Sequence, residues 1–229
     1  MYSKDDFLEL YVKLERWAKI TYGGDDGVMS IEQYHHDKRI KFEARYFRSV
    51  RNVLTHNPNG SEKPLIELTD EFKKKFEAFC NLLMNNVSQI SIPYKEIYKR
   101  EINDKVFPTI TVMKKNNYTY VPVMNGRKVW GVLCESTVFD IVSNGDASLF
   151  QDELQLLGIS KYITQYSSSG VYDFAQDDST VDDICRQFAD AIDRGRRLDV
   201  IYITTTGNKN GDLVGLVTIW DIPTLYTSL

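Results

Sequence analysis

The sequence predicts a multi-domain α+β chain, an N-terminal all-α helical bundle followed by a tandem pair of small α/β units. Three observations predict it. Apolar residues recur at helical spacing up to about residue 88. Near Ser91-Ile92-Pro93 that period gives way to short β-branched runs alternating with helical segments. And the segment Val129-Trp130-Gly131-Val132-Leu133-Cys134-Glu135-Ser136-Thr137 is matched, position for position, by Leu213-Val214-Gly215-Leu216-Val217-Thr218-Ile219-Trp220-Asp221, with the two glycines 84 positions apart. Such self-similarity marks one structural unit written twice.

The first helix carries Phe7, Leu10, Tyr11, Leu14, Trp17 and Ala18, and Gly23-Gly24 stops it. The second carries Ile40, Ala44, Phe47, Val50 and Leu54 and ends at the turn-rich Thr55-His56-Asn57-Pro58-Asn59-Gly60. The third starts at Thr69, an N-cap followed by Asp70 and Glu71 that suit the positive end of the helix dipole. Its buried face is expected to be Phe72, Phe76, Phe79, Cys80, Leu83 and Val87.

In the first copy, Tyr118 to Met124 is a strand, Asn125-Gly126 a hairpin turn, and Lys128 to Leu133 the returning strand. Ser136 to Val142 is a short helix ended near Asn144-Gly145. In the second copy, Ser179-Thr180-Val181-Asp182 opens a helix with Val181, Ile184, Cys185, Phe188 and Ile192 on one face. Asp199 to Thr204 and Asp212 to Val217 are its hairpin strands, joined by a longer turn. Each copy thus runs helix, strand, turn, strand, helix. The boundaries follow: a helical domain over 1–88, and a pair over 89–229 with repeats at about 91–145 and 163–229.

Composition narrows the function classes. Apolar residues make up 42% and charged residues 26%, as in ordinary globular proteins. A formal net charge of −4 argues against a chain that coats nucleic acid along its length. Cys80, Cys134 and Cys185 show neither metal-ligand spacing nor a disulfide framework, so they read as reduced thiols. The N-terminal Met-Tyr-Ser-Lys-Asp-Asp is not a secretory signal, and no apolar run approaches the ~18 residues of a membrane span. The expectation is a soluble cytoplasmic protein without a membrane partner and without a metal. His35-His36 has no Cys or carboxylate at ligand spacing and reads as a surface pair.

On Thr119-Tyr120-Val121-Pro122-Val123 before a hairpin, Gly131 with its helix, and Gly215 through Asp221, the second part resembles the CBS (cystathionine-β-synthase) domain, whose pairs are called Bateman modules. The resemblance covers about residues 90–229. It implies a pseudo-twofold pair whose clefts bind adenosine-containing molecules: AMP, ADP, ATP or S-adenosylmethionine. It also implies that Thr218 contacts a phosphate, that Asp221 takes the ribose 2′- and 3′-hydroxyls, and that Val200, Tyr202 and Ile203, with Gly215 beside them, line the base. A Thr at a helix start favours an anion, because free N–H groups point outward there. Taken alone, Thr218 and Asp221 also read as a helix cap and its dipole partner. The first copy departs from the pattern, with Cys134 and Thr137 at those two positions. A thiol is a weak donor and Thr lacks a two-oxygen acceptor, so the nucleotide site is assigned to the second copy.

Arg51-Asn52-Val53-Leu54-Thr55-His56 resembles the motif of HEPN (higher eukaryotes and prokaryotes nucleotide-binding) domains, over about residues 1–88. It implies a metal-independent endoribonuclease, working as a dimer. His56 would move the proton of a ribose hydroxyl, the acid–base role that an imidazole fills most often. Arg51 would neutralise charge on the phosphorane, and Asn52 would orient the pair. Lys38, Arg39, Lys41, Arg45, Arg48 and Arg51 face only Glu43 within that stretch, a basic run suited to RNA. The other reading is a His that caps a helix beside a solvated basic face. Two functions follow. The first is an adenine-nucleotide-sensing protein whose helical domain binds or cleaves RNA. The second is a non-enzymatic sensor whose helical domain only dimerises or docks a partner. Both expect at least a homodimer.

Overall fold

A computed structural model describes residues 3–23, 27–56, 66–146, 151–163 and 171–222. The chain divides into two compact units between Asn85 and Asn86.

The first unit is helical. Helix α1 (Lys4–Tyr22) starts at Ser3, whose hydroxyl accepts from the Asp6 N–H at 3.0 Å, and stops at Gly23 with φ of +67°. Helix α2 (Val28–Tyr34) has no counterpart in the sequence reading, because seven residues are too few to show a period. Helix α3 (Lys38–Thr55) is capped by Asp37 and helix α4 (Asp70–Met84) by Thr69, as its sequence predicts. Phe7, Tyr11 and Leu14 of α1 are fully buried with Ile40, Ala44 and Phe47 of α3 and Phe76, Phe79 and Leu83 of α4. Phe76 is the hub, its ring centroid 4.7 Å from Phe7 and 4.8 Å from Phe47. Burying these rings supplies roughly 1.5–3 kcal/mol each, which offsets the entropy of ordering short helices. Val87, expected on the α4 face, lies beyond the helix and packs in the second unit.

The second unit holds two sheets. Strand β1 (Ile92–Pro93) pairs antiparallel with β7 (Leu213–Thr218), which pairs antiparallel with β6 (Val200–Thr204), which lies parallel to β5 (Tyr172–Gln176). The other sheet runs β2 (Arg100–Glu101), β3 (Tyr120–Asn125), β4 (Lys128–Cys134). Helix α5 (Val106–Asn116) lies between β2 and β3 in sequence, α6 (Glu135–Ser143) follows β4, and α7 (Val181–Asp193) links β5 to β6. The sequence reading omitted β2 and β5. Each precedes its copy's helix and pairs parallel with the first hairpin strand, the arrangement a crossover helix permits.

The duplication is visible in the ladders. Val123 opposes Gly131 in one hairpin, and Ile203 opposes Gly215 in the other. Both ladders shift register immediately afterwards, at Val123/Met124 and at Ile203/Thr204. The glycines are where another segment crosses. A Cβ on Gly215 would lie 2.9 Å from Ser91 Oγ and 3.0 Å from the Ile92 carbonyl oxygen. A Cβ on Gly131 would lie 2.3 Å from Ile163 Cγ2.

Each copy has its own core, around Val106, Leu133 and Ile159 in one and Ile184, Phe188 and Ile201 in the other. A third cluster joins the copies, with Met124, Val129 and Val132 against Val200, Tyr202 and Leu213. Helix α7 is opened by a reciprocal cap between Thr180 and Asp183. Ile192, expected on its buried face, is 66% exposed, and Ala191 turns inward instead. No helix among the described residues is long and apolar enough to cross a membrane.

Candidate functional site

A cavity of about 350 Å³ opens within the second unit. Its walls come from the segment around Ile97, the approach to β3, the start of β6 and the end of β7. These are the ends of the duplicated hairpin strands, where β alternation and the repeat register converge. Strand β6 turns Val200 and Tyr202 to this side. Ile203, expected beside them, belongs to the core on the opposite sheet face together with Ile201, because successive side chains alternate. Gly215 is not among the residues that line the cavity, and its lack of a side chain lets β1 approach β7.

Thr218 lines the cavity and caps a single 3₁₀ turn, Ile219–Asp221. Its N–H and its hydroxyl both donate to Asp221 Oδ2, at 2.7 and 2.8 Å. The next amide, Ile219 N–H, donates to the Asp199 carbonyl at 3.0 Å. Those two amides therefore have partners within the chain. Asp221 closes the turn and does not line the cavity. In the first copy, Cys134 N–H donates to Thr137 Oγ1 at 3.2 Å, the same cap built from different side chains. Cys134 and Thr137 are buried, 2% and 0% exposed, so the thiol and hydroxyl are closed to a ligand.

The polar wall of the cavity is a cluster that sequence reasoning missed. The Tyr120 hydroxyl of the first copy donates to Asp199 Oδ2 of the second. Arg197 Nε donates to the same oxygen at 2.7 Å, and Arg197 Nη2 reaches the Tyr120 hydroxyl at 3.3 Å. Burial, and then the hydrogen bond to Asp199, raise the Tyr120 phenol well above its ordinary pKa. The charge field of Tyr120, and then the bond to Asp199, raise Arg197 above its ordinary pKa. One available signal was the alignment itself, in which Thr119 and Asp199 hold equivalent strand positions.

Aromatic rings share the rest of the lining with aliphatic side chains. Tyr98 and Tyr118 stack at 5.4 Å with 23° between their planes, and Trp220 stands 83% exposed beside Thr218. The Tyr202 hydroxyl is buried without a hydrogen-bond partner among the described residues. Burial pushes its phenol well above the ordinary pKa.

In the first unit, Arg51 Nη1 donates to Asn52 Oδ1 at 3.2 Å, and its guanidinium lies 5.8 Å from the Tyr11 ring centroid. His56 is the exposed C-cap of α3, its N–H donating to the Asn52 carbonyl at 2.9 Å. Five residues turn an α-helix through about 500°, so Arg51 and His56 point roughly 140° apart. The structure does not bring these two side chains together within one chain.

The basic run is more neutral than its sequence window suggests. Glu32 of α2 accepts from Arg48 Nη2 at 3.1 Å and from Arg45 Nε at 3.4 Å. Asp37 pairs with Arg39 at 3.1 Å, and Lys41 Nζ donates to the Gln33 carbonyl at 2.8 Å. Lys38 is exposed. Burial works against the Glu32 charge, yet the Arg48 and Arg45 bonds outweigh it and hold the carboxyl below its ordinary range. His35, expected at the surface, is 2% exposed, and its Nδ1 accepts from the Asp37 N–H at 3.0 Å.

No protein-family model matches the chain, and no curated protein sequence matches it. Solved structures similar to it include CBS-domain proteins. CbpB in complex with c-di-AMP superposes with a TM-score of 0.49 at 17% identity, covering 70% of this chain and 94% of that one. The CBS domain of the bacterial CNNM/CorC family Mg2+ transporter gives 0.48 at 14% identity, covering 80% and 96%. CBSX2 in complex with AMP gives 0.45 at 11%, covering 61% and 93%.

Proposed function

We propose that the second unit is a tandem CBS module that senses an adenosine-containing small molecule, an adenine nucleotide or S-adenosylmethionine, in the cavity between its two copies. The reading makes this part of the chain a regulatory sensor without chemistry of its own. What carries it is one observation: the cavity lies at the strand ends of the second copy, where the G-L-V-T-I-W-D segment brings Thr218 and Trp220 to its wall. An aromatic-walled cleft of this size with few convergent polar groups suits a nucleoside. The equivalent first-copy groups are buried, which supports a single site.

The test is calorimetric titration of adenosine, AMP, ATP and S-adenosylmethionine into the whole chain, with Trp220→Ala as the control. Trp220 is 83% exposed, so its loss spares the fold. If its indole stacks on a base, affinity falls about tenfold, the ordinary worth of one such stack. No binding at millimolar concentration, or full affinity in Trp220→Ala, sinks the assignment.

A second reading attaches to the end of α3. There the Arg51 guanidinium is held against Asn52, and His56 stands exposed one turn beyond. In a homodimer the Arg51 of one chain and the His56 of another would meet RNA together, with Lys38 and its neighbours along the backbone. Metal-free cleavage of single-stranded RNA that is lost in His56→Ala supports it. Cleavage undiminished in His56→Ala, or a monomer in sedimentation equilibrium, removes it and leaves the sensor.

A further inference from the structure

We propose that the cavity is selective for an adenosine derivative carrying a positive charge or none, an adenosyl sulfonium in preference to a nucleoside polyphosphate. This inference rests on the adenosine reading above and specifies its ligand class.

Charge is the first reason. The ionised residues lining the cavity are Glu96, Asp199 and Arg197, two carboxylates against one guanidinium. Arg197 is already committed to Asp199 at 2.7 Å. Arg100, which does not line the cavity, lies 5.2 Å from the Tyr98 ring centroid, donates to the Tyr98 hydroxyl at 3.0 Å and stands 3.8 Å from Asp104, so its charge is matched as well. Among the described residues a polyphosphate entering here would find no uncommitted cation on the cavity wall. It would also desolvate beside two carboxylates, and burial of unpaired charge is costly.

The amide donors are the second reason. A helix start normally attracts anions through free N–H groups. At this turn Thr218 N–H is taken by Asp221, and Ile219 N–H by the Asp199 carbonyl. The feature that would have recruited a phosphate is internally satisfied.

The rings are the third reason. Tyr98 and Tyr118 stack with each other, and Tyr120 and Trp220 line the same space. Aromatic faces carry partial negative charge and attract onium cations strongly once water is excluded. Among the described residues both side-chain contacts of Asp199 use Oδ2, which leaves Oδ1 as an acceptor or a counter-charge.

The experiment is equilibrium dialysis of the whole chain against S-adenosylmethionine, S-adenosylhomocysteine, AMP, ATP and the bare cation trimethylsulfonium. The first two differ by one methyl group and one positive charge. S-adenosylmethionine is expected to bind about tenfold tighter than S-adenosylhomocysteine, the ordinary worth of a desolvated cation–ring contact, with ATP weakest. Glu96→Gln and Asp199→Asn should each narrow the ratio between the first two ligands and strengthen ATP. The asparagine keeps an oxygen for the Tyr120 hydroxyl, so the wall stays closed. ATP or AMP binding as tightly as S-adenosylmethionine overturns the charge inference and leaves the adenosine reading standing. Binding of trimethylsulfonium alone, with none of the adenosyl ligands, supports the charge inference and overturns the adenosine reading. No binding of any probe overturns both.

Discussion

Replacing Gly131 with alanine tests whether the glycines mark a crossing. The added Cβ would lie 2.3 Å from Ile163 Cγ2 and 3.6 Å from the Ile163 carbonyl carbon. Ile163 is fully buried and β-branched, so it cannot swing aside within its rotamer wells. One added methyl in such a place costs about 1–3 kcal/mol by overpacking. Alanine also restricts the unfolded chain, which returns roughly 0.4–1 kcal/mol. The expected net loss is about 1–2 kcal/mol, seen as a lower urea midpoint at unchanged slope by tryptophan fluorescence. A double-mutant cycle isolates the cause. Ile163→Ala leaves a cavity and costs about 2–5 kcal/mol. In that background Gly131→Ala should cost almost nothing, because the clashing methyl is gone. The coupling should therefore be at least 1 kcal/mol, well above the ~0.3–0.5 kcal/mol of independent sites. If Gly131→Ala costs the same with and without the Ile163 side chain, the crossing is not why glycine stands there. Gly215→Ala should behave alike, since a backbone oxygen and Ser91 stand in its way.

Three further outcomes are expected. Tyr202→Phe removes a buried hydroxyl that has no partner among the described residues, so the ligand-free protein should gain up to about 1–3 kcal/mol, and a loss in thermal unfolding would mean that the hydroxyl is satisfied. Thr180→Ala opens the reciprocal cap of α7 and should cost roughly 1 kcal/mol in urea, while an unchanged midpoint would deny the cap any role. Glu32 has a lowered pKa in the folded chain, so its stabilisation is present at neutral pH. It starts to be lost as pH falls below the ordinary glutamate value of about 4.3 and is gone below the lowered one. Acid titration of helix content in Glu32→Gln should be flatter than wild type over that range, and parallel curves would refute the coupling.

Much of this protein was set by short-range pattern. The stripes Phe7–Leu14, Ile40–Phe47 and Phe76–Leu83 needed only the helical period, and Thr69 and Thr180 needed only cap chemistry. The duplication was legible because Gly131 and Gly215 are each required by a crossing segment, and a requirement on one residue survives in sequence. The elements that escaped were α2, β1, β2 and β5, all short and held by partners distant in sequence rather than by their own periodicity. The candidate site divides the same way. Thr218, Val200 and Tyr202, named through the family resemblance, line the cavity, but the resemblance named Ile203 with them and so did not choose a side of the strand. Which face Ile203 takes was available from alternation along β6 and was missed. Tertiary structure alone joined Tyr120 to Asp199 across 79 positions, committed Arg197 to that carboxylate, and spent the Thr218 and Ile219 amides. It also set Glu32 against Arg45 and Arg48, quieting a basic run that a linear count of charges had left open. The physical reason is common to all of these. Periodicity and caps act between neighbours in the chain, whereas the charge and hydrogen-bond state of a site depends on every group that folding brings within a few ångströms.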